Sequence, residues 1–327
     1  MDKVYSTLEQ SQGTGEILND EKYDWRTKKL KNLAVAPHIT NCSESRKEQF
    51  ECCCTRLEFA HDGHGKIKLI RSNNCKHPLC STCNGRRSMK YFHEVRQVAE
   101  LAVEKNPSVR FLMLTLTVPN ISASELSETL THLLNSFQRL IQRSEFKKAI
   151  KGWFRSLEIT YNADRDDYHP HFHCLLMVNN SYFKGKQYIT QARWLELWQE
   201  ATRQSEITSV DIRRVKSNPK RNNTPIEAAA AEVAKYVTKE GDYVYRLSKD
   251  EYGAKPDVID TLCHALKKRR LVAFGGLLKA YRQEIGLDTK EDDLVNVGDE
   301  RDEEELFIPV GIRLFYWMGS QKNYISR

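Results

Sequence analysis

Seven of the nine cysteines in this chain lie between Cys42 and Cys83. The most regular group is a C-x4-C-x2-C array formed by Cys75, Cys80 and Cys83. A cytosolic chain keeps its thiols reduced, so this crowding favours metal binding over disulfides. Cys80 and Cys83 have the spacing of a zinc knuckle, in which two thiolates bind one tetrahedral ion. The sequence therefore predicts a structural zinc site in this part of the chain.

The fourth zinc ligand is not fixed by spacing. Cys52, Cys53 and Cys54 stand directly before a predicted strand, and any one of them completes a four-ligand site. His77, inside the C-x4-C interval, is the competing ligand. The residues alone leave these four alternatives open.

Composition and charge restrict the class of protein. The chain has 327 residues, 40% hydrophobic and 29% charged, which is typical of a globular protein of about two domains. It has no apolar run long enough for a membrane span and no apolar leader at its N-terminus, so we expect a cytoplasmic protein. The net charge is +7 although residues 288–305 hold ten acids against two bases. A basic body with a separate acidic stretch favours a polyanionic partner such as nucleic acid, and a solvated surface is the alternative.

Periodicity predicts alternating strands and helices. A β-branched and aliphatic run over 109–118 indicates a buried strand, and the leucine stripe of 124–144 indicates an amphipathic helix. The other expected elements are helices over 85–104, 190–204, 225–239 and 256–285, and strands over 152–162, 170–179 and 207–215.

The second metal motif is a strand with histidines at alternate positions. His171 and His173 share one face of the strand, and His169 could join them at its mouth. If 163–168 form the hairpin loop, paired positions sum to 331, and Glu158 lies opposite His173 on the same face. A mixed nitrogen and oxygen site with open positions suits Mg²⁺ or Mn²⁺ that also holds a phosphate, with Zn²⁺ as the alternative.

A third group lies on the alanine-rich helix predicted after residue 225. Glu232, Tyr236 and Lys239 are spaced i, i+4 and i+7, which places them on one helical face. A tyrosine near a metal and a lysine can attack a phosphodiester to give a 5′-phosphotyrosine. The competing interpretation of Glu232 is a surface carboxylate paired with Lys235 or Lys239.

These motifs together resemble the plasmid rolling-circle replication initiators (Rep proteins) of the HUH endonuclease superfamily, in the single-tyrosine branch from small Gram-positive plasmids. The resemblance extends over residues 50–285, and its motifs run in order: Cys53 with Leu57 and Phe59; Cys75-x4-Cys80-x2-Cys83 with Arg86-Arg87; Phe111 to Asn120; Leu157 to Asn162; Tyr168 to His173; and Glu232-x3-Tyr236-x2-Lys239. Ser81 departs from the proline that relatives usually carry between the last two cysteines.

The resemblance implies an α+β fold in which a central antiparallel sheet of about five strands carries the histidines. Residues 1–48 are predicted from their composition to be a polar, partly disordered segment, and neither they nor the acidic stretch 288–305 has a counterpart in the resemblance. The predicted domains after this segment are the zinc-binding region 49–95, the endonuclease domain 96–250 and a helical C-terminal region 251–327 with the acidic stretch. The resemblance also implies that Cys53 completes the zinc site.

The same resemblance implies the chemistry. Tyr236 would nick one strand at the double-strand origin and become linked to its 5′ end, while the free 3′-OH primes synthesis. Glu232 would activate a water for the terminating cleavage, and Lys239 would add a positive contact. The implied partners are supercoiled and single-stranded origin DNA, a host helicase and a polymerase. The sequence does not decide whether the protein forms a homodimer.

Basic residues beside these motifs are the predicted DNA contacts: Arg86, Arg87, Lys90, Arg213, Arg214, Lys216, Lys220 and Arg221. Three other functions compete with the initiator. A zinc-ribbon regulator that only binds DNA would give the histidine strand no function. A metallohydrolase of small molecules would give the basic loop no function. A relaxase or transposase of the same superfamily is closer, but relaxases usually place the tyrosine before the histidines.

Overall fold

The computed structural model describes residues 15–19, 23–40, 42–216, 224–234, 238–287, 294–295, 297 and 307–326. Its α-helices are α1 (Trp25–Val35), α2 (Glu44–Glu51), α3 (Ser81–Lys105), α4 (Leu126–Gln142), α5 (Ser144–Ala149), α6 (Gln191–Thr202), α7 (Pro225–Val233), α8 (Pro256–Leu266) and α9 (Gly276–Glu284). Its strands are β1 (Arg56–His61), β2 (Ile67–Ser72), β3 (Val109–Thr117), β4 (Gly152–Asn162), β5 (Asp167–Asn179), β6 (Asp211–Arg214), β7 (Val244–Ser248), β8 (Glu251–Ala254), β9 (Val272–Gly275), β10 (Gly311–Met318) and β11 (Asn323–Ser326).

A five-stranded antiparallel sheet forms the centre of one part of the molecule. Its strand order is β6-β3-β5-β4-β9. This confirms the predicted α+β class and the sheet of about five strands. The histidine strand β5 is the middle strand, and both of its edges are paired.

The two faces of this sheet bury different sets of side chains. On the face that carries the histidines, Phe154, Leu175 and Met177 pack with residues of α3, α7 and α9 in one hydrophobic core. On the opposite face, the Phe172 ring meets Phe137 of α4 at 5.5 Å between centroids. Continuous burial along β5 follows, because both faces of the sheet are covered.

Helix α4 follows from its sequence pattern. The side chains of its apolar stripe are fully buried: Leu126, Leu130, Leu133, Phe137 and Leu140. A capping box between Ser122 and Glu125 begins a short 3-10 turn that leads into the helix.

A second, four-stranded sheet has the order β11-β10-β1-β2. Its strands β10 and β11 come from the C-terminal region, which was expected to be helical. That region does contain α8 and α9, but the apolar run over 311–318 alternates along a strand that pairs with β1. The N-terminal segment is likewise ordered over α1, where Trp25 and Leu30 are buried.

Contacts divide the chain into two compact units. Residues 1–90, 243–260 and 292–327 form the first unit, and residues 91–242 and 261–291 form the second. Each unit is thus built from separated stretches of chain, while the linear boundaries near residues 48, 95 and 250 stay a prediction. Of the acidic stretch 288–305, only residues 294, 295 and 297 are described. In the described part of the chain, no helix has the length and apolarity needed to span a membrane.

Candidate metal centres

Glu158, His171 and His173 bring three ligand atoms together on the central sheet. His173 Nε2 lies 2.8 Å from Glu158 Oε2, and His171 Nε2 lies 3.2 Å from His173 Nε2 and 3.5 Å from the same Glu158 oxygen. Ligands bound at about 2.1 Å in octahedral geometry are about 3 Å apart, so one divalent ion fits this triangle. The three residues are only 4–8% exposed.

The register of the β4–β5 hairpin differs from the predicted one by two residues. Glu158 pairs with His171, so paired positions sum to 329, and the prediction that Glu158 faces His173 directly is wrong. The cause is a shorter loop: the Asn162 side chain accepts the backbone N–H groups of Asp164 and Arg165 and closes a tight turn. A shift of two residues keeps every side chain on its face, so Glu158 still joins the histidines.

Hydrogen bonds orient His171 and keep Glu158 ionised. His171 Nδ1 must donate to the His169 carbonyl at 3.1 Å, because a carbonyl only accepts, and this leaves Nε2 as the metal-binding nitrogen. Burial alone would raise the pKa of Glu158, but its hydrogen bonds with His171 and His173 outweigh burial and hold that pKa well below its ordinary value. The carboxylate is therefore ionised and available to a cation.

His169 lies beside this group of three. Its ring stacks on His171 with centroids 5.1 Å apart, and burial lowers its pKa. The structure thus gives His169 contacts that orient His171, and it is not among the three converging ligands.

The helix that was predicted to carry Glu232, Tyr236 and Lys239 ends early. Helix α7 stops at Val233, and Thr238 forms a parallel bridge with Ile159 of β4, so the prediction of one continuous helical face through residue 239 is wrong. Strand β9 and the residue before it pair with this edge of β4 as far as Leu157, and residue 238 pairs with the edge at Ile159. Tyr236 itself lies outside the described residues.

Lys239 nevertheless lies beside the metal-ligand group, because residue 238 pairs with β4 next to Glu158. Its Nζ lies 3.5 Å from Glu158 Oε1, the carboxylate oxygen that faces away from the histidines. Glu232 is half-buried on α7, and its carboxylate lies 3.8 Å from an Arg213 guanidinium nitrogen. Glu232 thus has an ion-pair partner on β6, while Lys235, one of the two lysines considered from the sequence, lies outside the described residues.

Cys53, Cys75, Cys80 and Cys83 form a second ligand group, buried in the first unit. Cys53 Sγ lies 3.5 Å from both Cys80 Sγ and Cys83 Sγ, and Cys75 Sγ lies 3.8 Å from Cys83 Sγ. With Zn–S bonds of about 2.3 Å, tetrahedral sulfur atoms are about 3.8 Å apart, so the spacing fits zinc. This group is consistent with the predicted zinc-binding region.

The pKa values of these thiols show how strongly the four sulfur atoms interact. Burial raises the pKa of Cys80, but hydrogen bonds from the other three thiols outweigh burial and lower it. The same contacts raise the pKa of Cys75, so protons stay on its neighbours once one sulfur ionises. Only a bound cation can hold all four sulfurs as thiolates together.

The geometry distinguishes between the candidates for the fourth zinc ligand. Cys52 is exposed, and Cys54 adopts a left-handed backbone conformation and donates to Asn74 Oδ1 at 3.1 Å. His77 Nδ1 accepts the Leu79 backbone N–H, and burial lowers the pKa of His77 to about 4. The structure therefore brings Cys53 into the group.

Two residues of α1 near this group were not predicted. Asn32 Nδ2 donates to Cys80 Sγ at 3.1 Å, and its Oδ1 accepts the Ser81 backbone N–H at 2.7 Å. Lys29 is fully buried and donates to the Cys53 carbonyl at 2.8 Å. No metal-ligand spacing marks either residue, because both act from a distant, largely polar stretch of sequence.

The predicted DNA contacts divide into buried and exposed residues. Arg86 is buried and donates to the carbonyls of Leu294 and Val295, so its guanidinium does not lie at the surface of its unit. Arg87 donates to the Lys76 carbonyl, and Lys90 is also buried. The exposed members in the described part are Arg213, Arg214 and Lys216; Lys220 and Arg221 lie outside the described residues.

Comparison with known proteins identifies the class to which this sheet and its two ligand groups belong. A family model described as replication protein matches residues 66–325. A Rep protein of Streptococcus pneumoniae serotype 2 is 34% identical over 310 residues, covering 93% of this chain and 92% of that protein. A Rep protein of Lactiplantibacillus plantarum is 36% identical over 309 residues, covering 94% and 96%, and one of Staphylococcus aureus is 38% identical over 234 residues, covering 71% and 98%. No solved structure matches the chain.

The chain therefore belongs to the replication protein family, which confirms its resemblance to plasmid rolling-circle Rep proteins. Membership of this family gives the chain a role in plasmid replication.

Proposed function

We propose that this protein initiates rolling-circle replication by nicking one DNA strand at the plasmid origin, with Tyr236 as the nucleophile. The observation that carries the proposal is the convergence of Glu158, His171 and His173 at metal-ligand spacing, with Lys239 against the same carboxylate. Mg²⁺ or Mn²⁺ bound there would polarise the scissile phosphate and stabilise its developing charge.

The chemical step is a transesterification. The Tyr236 oxygen attacks phosphorus, the bond from phosphorus to the 3′ oxygen breaks, and that oxygen leaves as a 3′-OH after taking up a proton. The tyrosine proton is lost on attack, so atoms and charge balance, and the phosphotyrosine ester retains the energy of the broken bond. Tyr236 stands two residues before Thr238, which is bridged to Ile159 beside Glu158, and this supports its assignment to the same phosphate.

Lys239 and Glu232 have separate roles in the proposal. The Lys239 ammonium lies beside Glu158 with 60% of its side chain exposed, so it can turn to a phosphate oxygen when DNA binds. Glu232, in keeping with the resemblance, would take the proton of a water in the terminating cleavage. Because Glu232 is near Arg213, DNA binding by that arginine would release the carboxylate for this role.

The partner of the proposed reaction is plasmid origin DNA, supercoiled or single-stranded. The edge strand β6 offers Arg213 and Arg214 to its phosphates, with Lys216 following. A host helicase, a polymerase and a second copy of this chain stay predictions from the resemblance. The zinc group would hold the fold of its unit, since its four sulfurs are buried.

One experiment tests the nucleophile. Purified protein with Mn²⁺ should relax supercoiled plasmid that carries the cognate origin and leave a denaturant-stable adduct, which peptide mass spectrometry should place on Tyr236. Tyr236→Phe should remove both, whereas Tyr188→Phe, a matched change at an exposed tyrosine, should remove neither. An adduct that persists in Tyr236→Phe assigns the chemistry to another residue.

A second experiment separates initiation from termination. Glu232→Ala should nick and form the adduct but lose hydrolytic termination by about 10²–10⁴-fold, the usual value of general-base assistance. Glu128→Ala, a matched change at an exposed carboxylate on α4, should terminate as the parent protein does. If Glu232→Ala terminates like this control, Glu232 is not the base.

A further inference from the structure

The turn between α8 and β9 carries four consecutive cations, from Lys267 to Arg270. Lys268 and Arg270 are exposed, whereas Arg269 is half-buried. This sequence is not among the motifs considered above, and the zinc and histidine groups do not use it.

Arg269 fixes this turn in place. Its guanidinium donates to the Ser127 carbonyl at 2.6 Å and to Thr131 Oγ1 at 2.8 Å, both on α4, and to the Ala265 carbonyl at 2.6 Å. Lys268 adopts a left-handed backbone conformation, φ 56°, and is exposed. An anchored turn presents its cations with little further loss of backbone entropy on binding.

The turn lies near a further, buried cation on β4. Arg155 of β4 is 3% exposed, its guanidinium lies 4.6 Å from the Phe172 ring centre, and burial and the neighbouring charge of Arg270 lower its pKa to about 10. Among the residues that the structure describes, no carboxylate forms an ion pair with Arg155, Lys268, Arg269 or Arg270. Like charges crowded without a counter-charge oppose folding, and a polyanion bound to the turn would relieve the repulsion.

The position of the turn links it to the metal-ligand group. The Leu271 carbonyl, directly after the four cations, accepts the backbone N–H of Leu157 at 2.8 Å, and Glu158 is the next residue of β4. Further along the same edge, Thr238 bridges Ile159 and brings Lys239 to Glu158. The backbone that follows the turn and the backbone of residue 238 therefore lie along one edge of β4, on either side of residue 158.

We propose that Lys268 and Arg270 bind the phosphate backbone of the DNA strand next to the phosphate held at Glu158, His171 and His173. The inference rests on the proposed function, and it adds the surface that positions the strand for cleavage. Both side chains are exposed and contact phosphates, so they contribute affinity without reading base sequence.

The test is the salt dependence of binding to a single-stranded origin oligonucleotide. Removing two phosphate contacts should reduce the slope of log K against log salt by about 1.4, since each contact contributes about 0.7 on single strands. The variant is the Lys268→Ala, Arg270→Ala double substitution in the full chain. The matched control is Lys147→Ala, Lys148→Ala, which removes the same charge from exposed positions on α5, near the opposite end of β4.

The outcomes separate the two proposals. A reduced slope in the turn variant alone supports the surface, and an unchanged slope, or an equal reduction in the control, overturns it. Thermal unfolding of both variants should match the parent, because the substituted side chains are exposed. If the parent protein forms no adduct with origin DNA but the turn variant still loses slope, the nicking proposal fails while the DNA surface stands.

Discussion

Glu158 Oε2 lies 2.8 Å from His173 Nε2 across a diagonal of the β4–β5 hairpin, although the residue directly opposite Glu158 is His171. The carboxylate thus leans along the strand and closes a triangle with both imidazoles. The other carboxylate oxygen, Oε1, lies 3.5 Å from Lys239 Nζ. A single buried carboxylate therefore joins the metal ligands to the one lysine that contacts it in the described part of the chain.

The first prediction concerns this carboxylate. Glu158→Gln keeps the shape of the side chain and removes its charge, so Mn²⁺ should bind at least about tenfold more weakly. His171→Ala or His173→Ala should abolish metal-dependent cleavage. Calorimetric titration with Mn²⁺ measures the binding without reference to cleavage.

The matched control for that titration is Glu128→Gln, an exposed carboxylate on α4. It should titrate like the parent protein. An unchanged Mn²⁺ affinity in Glu158→Gln would remove Glu158 from the ligand set.

The grouping of Glu158 with the histidines could be predicted because strand geometry depends on parity alone. Alternation places residues 171 and 173 on one face, and any register that differs from the predicted one by an even number of residues keeps residue 158 on that face. The register itself could not be predicted, because it depends on hydrogen bonds of the Asn162 side chain. These bonds close the hairpin with a loop of four residues. Turn closure by a side chain is a local hydrogen-bond competition that periodicity does not report.

The end of α7 could not be predicted for a different reason. An alanine-rich sequence favours continuation, and only the open edge of β4 beside Ile159 offers residue 238 an alternative partner. Likewise, the sequence indicates a zinc group through Cys80 and Cys83, but the choice of Cys53 over its two neighbours depends on the backbone between α2 and β1. Tertiary contacts decide both outcomes.

The second prediction tests the fourth zinc ligand. Cys53→Ser should reduce zinc to well below one ion per chain and lower the thermal stability, because a buried thiolate is lost from the tetrahedral set. Cys52→Ser, one residue away but exposed, should retain zinc. Metal analysis of the two purified variants gives the answer, and equal zinc content in both would exclude Cys53.

The third prediction concerns the neighbours of the zinc group. Asn32→Leu preserves volume but removes the donor to Cys80 Sγ and the acceptor for the Ser81 N–H. Partners that orient a ligand are typically worth about 10–100-fold in metal affinity, so zinc should pass faster to a chelator. Asn32→Asp keeps the acceptor but places a negative charge beside the sulfur, and it should lose zinc as well. In Co²⁺-substituted protein, the thiolate-to-metal absorption should shift; an unshifted band with normal zinc retention would contradict the role.

The fourth prediction separates structure from DNA binding at Arg86. Its guanidinium is buried and donates to two carbonyls, Leu294 at 3.0 Å and Val295 at 2.5 Å. Arg86→Ala leaves both acceptors without this donor, so the free energy of unfolding should fall by about 2–4 kcal/mol. The salt dependence of DNA binding should stay as in the parent, since a buried side chain releases no counterions from DNA. Lys216→Ala, at an exposed position after β6, should show the reverse: unchanged unfolding and a slope reduced by about 0.7–0.9. A reduced slope with normal stability in Arg86→Ala would restore that residue to the DNA surface.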